Sequence, residues 1–266
     1  MKIGFIGTGN MGGALARAAA KGGHTLLLAN RTPAKAEALA KELCGTVCPN
    51  AVAAEAAELL FLGVKPQGLP GLAGELAPVL QARKGNAPVV VSMATAVTLR
   101  ELDAMLGGGL PLIRIMPNTP AAVGAGTILY AAQNVTDAQL SAFRAVLAQA
   151  GLLLPLPEEK IDAASAISGC GPAFCFQFAD ALALGGVRAG LSYPDACRLA
   201  AQTMLGAAEM LLQGGEAPDV LKMRVCSPAG TTIEGVLALE QGGFSYTVQN
   251  AVTAAYRRTV EMTKKG

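Results

Sequence analysis

A few short stretches of small and polar residues hold most of the reactive potential of this 266-residue sequence. The first, Gly7-Thr8-Gly9-Asn10-Met11-Gly12, directly follows the apolar run Lys2–Ile6 and opens a helical pattern. In that spacing Gly7 permits a tight turn, Gly9 lets the backbone approach a pyrophosphate, and Gly12 lets the helix pack closely on the strand. The helix N-terminal amides then receive the negative charge, so the expected ligand is a dinucleotide. Asn30-Arg31-Thr32 closes the next apolar run, Thr25–Ala29. An acidic side chain there would bind the ribose hydroxyls of NAD and repel a 2′-phosphate. An arginine between neutral hydrogen-bonding neighbours suits the extra phosphate, so NADP(H) is expected and NADH is the less favoured alternative. Val64-Lys65-Pro66 and Arg114-Ile115-Met116-Pro117-Asn118-Thr119-Pro120 end two further apolar runs, and the two prolines of the second fix a loop around Asn118 and Thr119. Later, Ser168-Gly169-Cys170-Gly171-Pro172-Ala173 interrupts a helical pattern, and Cys226-Ser227-Pro228-Ala229-Gly230-Thr231-Thr232 opens another helix. Loop amides and hydroxyls at a helix N-terminus make a carboxylate-binding nest without a basic residue.

Positioning these groups requires an α/β scaffold. Short apolar runs at Lys2–Ile6, Thr25–Ala29, Leu59–Val64, Val89–Ser92 and Leu112–Ile115 alternate with helical patterns such as Met11–Lys21 and Pro33–Leu43. Thr32-Pro33 reads as an N-cap followed by proline at the first helical position. This is a βαβ series, a parallel sheet covered by helices, with the candidate loops at the carboxyl ends of its strands where ligands bind. A turn cluster around Pro155–Glu158 marks a change to Ala/Leu-rich helices, so the expected division is 1–157 and 158–266. From Ile161 to Gln213 only six residues are charged. Helices apolar on more than one face cannot all be hidden in a domain of ~100 residues, which points to a subunit interface.

Composition narrows the classes. With 21 Lys+Arg against 19 Asp+Glu, the net charge of +2 gives no footprint for a phosphate backbone, so nucleic acid is not an expected partner. The longest uncharged stretch, Ile115 to Thr136, contains two prolines and reads as loop rather than membrane span. Gly7 and Gly9 interrupt the first apolar run before a signal-peptide core can form, so a cytoplasmic protein is expected. The six cysteines form no C-x-x-C pair and the one histidine, His24, sits at a strand start. Reduced thiols packed as small hydrophobes, and no metal site, are the reading.

Taken in order, the glycine turn, Val64-Lys65-Pro66, Met116-Pro117-Asn118-Thr119-Pro120, the Ser168–Ala173 break and Ser227-Pro228-Ala229-Gly230-Thr231-Thr232 resemble the pyrroline-5-carboxylate reductase family, NADPH-linked enzymes that make proline. The last segment is the most specific, because it resembles the family's signature loop. The resemblance implies an N-terminal Rossmann dinucleotide-binding domain followed by a C-terminal all-helical dimerisation domain, and a homodimer or a higher assembly such as a homodecamer. It implies that Gly7, Thr8, Gly9, Asn10, Met11, Asn30, Arg31, Thr32, Asn50, Gly63, Val64, Lys65, Pro66, Met93, Ala94 and Thr95 contact the cofactor. Met116, Asn118, Ser227, Gly230, Thr231 and Thr232 are implied for the substrate, with Thr232 near the ring nitrogen as the catalytic candidate and the signature loop supplied by the partner subunit. Two positions depart from the family: Ala229 and Ala96 stand where glycine is usual.

The chemistry so implied is hydride transfer from a nicotinamide to a cyclic C=N carbon, converting 1-pyrroline-5-carboxylate to L-proline in the last step of proline biosynthesis. An iminium is already electrophilic, so the protein mainly aligns two rings and fixes a carboxylate. Two rival readings are a β-hydroxyacid dehydrogenase and a non-enzymatic NADP-binding sensor. The first needs a lysine on the first long C-terminal helix, and none occurs between Lys160 and Lys222. The intact substrate loop argues against the second.

Overall fold

The computed structural model describes residues 1–83 and 85–263. Strands β1 (Lys2–Ile6), β2 (Thr25–Ala29), β3 (Thr46–Val47), β4 (Leu59–Leu62), β5 (Val89–Ser92), β6 (Leu112–Met116), β7 (Gly126–Gln133) and β8 (Gly151–Pro155) form one sheet ordered β3-β2-β1-β4-β5-β6-β7-β8. Strands β1 to β6 run parallel, β7 is antiparallel to β6, and β8 is parallel to β7. The helices of this half are α1 (Asn10–Ala20), α2 (Pro33–Leu43), α3 (Asn50–Ala56), α4 (Leu69–Ala82), α5 (Leu99–Met105) and α6 (Asp137–Leu147), followed by α7 (Glu158–Ser168).

Period-two alternation sends neighbouring strand residues to opposite layers: Leu59 and Phe61 join Ile3, Phe5 and Leu15 on one face, while Leu60 and Leu62 join Leu72 and Leu76 on the other. Because both faces are covered, the central strands read as unbroken apolar runs. The rings of Phe5 and Phe61 stack across β1 and β4 with centroids 4.6 Å apart. Each such side chain, fully buried, contributes roughly 1.5–3 kcal/mol. The chain crosses from one side of the sheet to the other between β1 and β4, so their carboxyl ends form the crevice where a nucleotide ligand fits this topology.

The expected strands are all present, with β4 ending at Leu62 rather than Val64 and β6 extending to Met116. Three strands were missed. The uncharged stretch read as loop between Ile115 and Thr136 contains β7, whose partners on both sides, β6 and β8, satisfy its backbone. Strand β8 is leucine-rich, without the β-branched residues that separate a strand from a helix end, and β3 has two residues. Length and composition alone also leave one candidate that the reading of uncharged stretches did not consider. Among the described residues, the 31-residue run Glu158–Arg188 is long and apolar enough to cross a membrane. The sequence reading tested only unbroken uncharged stretches, and this run is interrupted by acidic residues and by the break at Gly169 and Cys170.

The described residues divide into two compact units, 1–170 with 255–263, and 171–254. The second holds α8 (Gly171–Arg188), α9 (Tyr193–Gly214), α10 (Pro218–Val225), α11 (Thr231–Gln241) and the first part of α12 (Phe244–Thr263). Helices α8 and α9 reverse at Gly190, and a Cβ at Gly186 would meet that of Ala196 at 3.1 Å, so the two helices pack through small residues. Ser192 caps α9, and the Tyr193 hydroxyl donates to Asp180 at 2.7 Å, which pushes the phenol up to about 12. Within this unit the only buried apolar residues among those described are Ala183, Ala196 and Ala200, while Phe176, Leu199, Leu212 and Tyr246 are exposed. A single copy of this unit therefore has no large-side-chain core, which agrees with the expected subunit interface.

Candidate functional site

Turn chemistry explains why the β1–α1 connection needs its glycines, and the three act differently. Gly7 has φ +96°, and a Cβ there would lie 2.5 Å from the carbonyl oxygen of Gly63, at the end of β4. Gly12 would place a Cβ 2.1 Å from the Gly7 carbonyl oxygen. Both are fixed by packing within the protein. Gly9, the N-cap of α1, is exposed with φ −70° and ψ −166°, and an added Cβ would meet no atom of the described residues within 4 Å. Nothing in the protein's own packing requires glycine there.

The other predicted cofactor residues gather at the same sheet edge. Gly7 N–H donates to Ala29 and Gly63 N–H to Ile6, so the strand ends continue into the two loops. Asn30 accepts from Thr8 N–H at 3.0 Å and donates to the Thr32 carbonyl at 2.9 Å, tying the glycine turn to the end of β2. Thr32 is the N-cap of α2 with Pro33 at the first helical position, as expected, although its side chain makes no capping bond. Arg31 is exposed beside it. Val64 and Pro66 are half-buried and Lys65 is exposed, at the start of a 3-10 turn (Pro66–Gly68). Met93, Ala94 and Thr95 follow β5, with Ala94 N–H held by the Ser92 hydroxyl at 3.3 Å. Asn50 opens α3, and its side chain donates to Glu75 at 3.0 Å.

Two observations say that a dinucleotide fits this edge. The Thr8 hydroxyl oxygen is buried without a hydrogen-bond partner among the described residues, and Gly9 leaves the α1 amides approachable by a bulky anion.

The β6 loop is built differently from a set of free ligands. Asn118 is buried, accepts from Thr127 N–H at 2.8 Å and donates to the Ser168 carbonyl at 2.8 Å, so both ends of its amide hold protein backbone. It clasps the last residue of α7, next to the helix break anticipated at Ser168–Ala173. Met116, also buried, ends β6. Sequence reasoning passed over the neighbour that matters most here. Arg114 is 3% exposed, with its guanidinium 2.6 Å from Asp162 and 3.4 Å from Glu158 of α7. Its Nε has no partner among the described residues. An arginine in the middle of an apolar run, with two acidic residues at helical spacing downstream, is a signal that could have located this pair.

The signature-loop segment lies in the second unit. Gly230 N–H donates to the Ser227 carbonyl at 3.0 Å, closing a turn with Pro228 and Ala229 at its centre. A Cβ at Gly230 would strike the Ser227 side chain, and Gly230 is the N-cap of α11. Thr231 and Thr232 occupy the first two positions of that helix, exposed and without a side-chain cap. Thr232 is therefore not the helix cap, and the first amides of α11 are left for a ligand or water.

The two departures from the family pattern share one conformation. Ala96 has φ +62° and Ala229 φ +54°, both left-handed. That region costs a residue with a Cβ roughly 1–2 kcal/mol, a penalty that glycine escapes. One lies in the loop after β5 and the other in the substrate-loop segment.

Comparison with known proteins places this arrangement. Residues 158–262 match a family model described as pyrroline-5-carboxylate reductase dimerisation, and residues 2–96 match one described as NADP oxidoreductase coenzyme F420-dependent. A pyrroline-5-carboxylate reductase of Synechocystis is 39% identical over 100% of this chain and 99% of its own length. The chain belongs to the pyrroline-5-carboxylate reductase family. Two solved structures extend the likeness to the fold. The Plasmodium falciparum pyrroline carboxylate reductase with NADP bound has TM-score 0.84 and 29% identity, covering 99% of this chain and 98% of its own. The pyrroline-5-carboxylate reductase of Coxiella burnetii has TM-score 0.89 and 31% identity, with 97% coverage of both chains. The Rossmann sheet and the helical dimerisation segment expected from the resemblance are thus both present.

Proposed function

We propose that this protein reduces 1-pyrroline-5-carboxylate to L-proline with NADPH, the last step of proline biosynthesis. The observation that carries the proposal is the full-length identity to a reductase of that name, with the Gly7–Gly12 turn and the Ser227–Thr232 loop both present, the latter with Ala229 in place of a glycine. When bound, NADPH supplies the hydride. The amides at the start of α1 hold its pyrophosphate, with Gly9 permitting close approach and Thr8 offering its unpartnered hydroxyl. Asn10 and Met11 begin that helix, and Asn30, Arg31 and Thr32 meet the adenosine ribose, with Arg31 on the 2′-phosphate. Gly63, Val64, Lys65, Pro66, Met93, Ala94 and Thr95 line the course toward the nicotinamide, and Asn50 supports that wall through Glu75.

The amides after Ser227, together with Gly230, Thr231 and Thr232, bind the substrate carboxylate, and Met116 bounds the ring. Asn118 acts by holding the α7 end in place. Holding the substrate ring against the nicotinamide would supply most of the rate, and the Thr232 hydroxyl, its proton replaced from water, would steady or protonate the ring nitrogen. The functional division at 157/158 follows the matched dimerisation segment, and the exposed apolar helices of that segment associate in a homodimer or larger ring with the substrate loop completing a neighbour's site. Cytoplasmic residence fits the six unpaired thiols. The testing experiment is chemical identification of the product: L-proline should accumulate one for one with NADP+. Recovery of unchanged substrate after complete NADPH turnover, or no turnover, contradicts the proposal.

A further inference from the structure

The loop after β5 crosses the left-handed Ala96 and then enters α5, and its far end is fastened by more than its own sequence. Thr98 and Glu101 form a capping box, with Thr98 N–H donating to the Glu101 carboxylate at 2.7 Å and Glu101 N–H to the Thr98 hydroxyl at 3.2 Å. The Thr98 N–H first, and then the Thr98 hydroxyl, which donates to the same carboxylate at 2.7 Å, hold the Glu101 carboxyl below its ordinary range. One residue further, Leu99 N–H donates to a carboxylate oxygen of Glu158, 59 positions away in α7, at 2.7 Å. The same oxygen faces the buried guanidinium of Arg114, which is itself held by Asp162. Nothing in the proposed chemistry uses these groups.

We infer that Glu158 is a positioning residue for the cofactor: with Arg114 behind it, it pins the start of α5 and so holds the Met93–Thr98 loop in the strained backbone that presents Met93, Ala94 and Thr95 to NADPH. The physical reason is a balance of local preferences. Alanine at φ +62° favours leaving the left-handed region by a factor of about five or more, so the loop drifts from that conformation unless both of its ends are fixed. One end is fixed by the Ser92 hydroxyl on Ala94 N–H, and the other by the Glu158 carboxylate on Leu99 N–H. A glycine at 96 would carry no such penalty, so the same backbone would depend less on its fixed ends. The chain therefore couples the first helix of its dimerisation segment to the loop that faces the cofactor.

This inference rests on the proposal that the Met93–Thr95 segment touches NADPH, and the test separates the two. NADPH dissociation constants are measured by fluorescence titration for the wild type, Glu158→Ala, Ala96→Gly and the double variant, with kcat at saturating NADPH and thermal melts alongside. Glu158→Ala should weaken NADPH binding about fivefold with Ala96 present, and less than twofold with glycine at 96, while kcat changes less than twofold. Equal loss in both backgrounds, or no loss, overturns the inference, because a merely structural role adds independently of residue 96. If Glu158→Ala does not fold, Glu158→Met, which keeps most of the volume and removes the acceptor for Leu99 N–H, takes its place in the same cycle. Failure of the wild type itself to bind NADPH would sink the functional reading instead.

Discussion

The glycine turn gives a sharp test, because two of its glycines have opposite structural reasons. Gly9→Ala places a methyl where no atom of the described residues lies within 4 Å, at a backbone that any residue adopts. Folding should then be unharmed, and the smaller freedom of the unfolded chain adds ~0.4–1 kcal/mol in the variant's favour. Gly12→Ala puts the same methyl 2.1 Å from the Gly7 carbonyl oxygen, so backbone must move, at a cost of ~1–3 kcal/mol or more. For a unit of this size that lowers the melting temperature by roughly 2–12 °C. With ligand the order reverses in meaning. The Gly9 methyl stands between the α1 amides and a pyrophosphate, and overpacking of ~1–3 kcal/mol raises the Kd for NADPH roughly 5- to 150-fold. The assay is a thermal melt without ligand followed by NADPH titration of each folded variant. Wild-type affinity in Gly9→Ala would refute the pyrophosphate position, and a large loss of stability in it would refute the open geometry.

Further predictions address the remaining groups. Arg31→Asp should lower the NADPH-to-NADH preference in kcat/KM, because a charge-assisted contact becomes like-charge repulsion; an unchanged ratio removes Arg31 from the 2′-phosphate. Asp162→Ala should destabilise the protein by about 3 kcal/mol or more in denaturant unfolding, since it strips the closest partner from a guanidinium that is 3% exposed. Arg114→Met should cost less, leaving Asp162 half-buried with access to water and Glu158 on Leu99, and the opposite order would contradict the geometry. Thr232→Val should reduce kcat more than it weakens a proline analogue, by far less than the ~10²–10⁴-fold of a well-matched proton donor. Because Gly230 rather than Thr232 caps α11, its melting temperature should change little.

Much of this was legible before the structure, for reasons that lie in the residues. Doubly covered strands such as Leu59–Leu62 and Val89–Ser92 announce themselves as apolar runs, and a strand, a glycine turn and a helix in succession leave few alternatives to a nucleotide-binding unit. Strand β7 was hidden because its pairing is decided by β6 and β8, far along the chain in one case, and because Pro117, Pro120 and Gly124 lend its surroundings a loop composition. Asn118 was legible as special, yet its two backbone partners, Thr127 and Ser168, are tertiary facts. The substitutions Ala96 and Ala229 were visible as departures adding one methyl each. Only the backbone angles show that the methyl sits in the left-handed region, where it carries strain. The exposed apolar helices were foreseen from charge counting, since a segment so poor in charged residues has no polar face to offer water on every side.

The most direct test of the functional account is the rate of NADPH oxidation by the purified protein with 1-pyrroline-5-carboxylate, run beside NADH and beside NADP+ with a β-hydroxy acid. Rapid NADPH consumption with the cyclic imine, slower consumption with NADH and no reduction of NADP+ by the hydroxy acid is the predicted outcome. NADPH binding without any imine-dependent oxidation, or turnover of the hydroxy acid in its place, would contradict it.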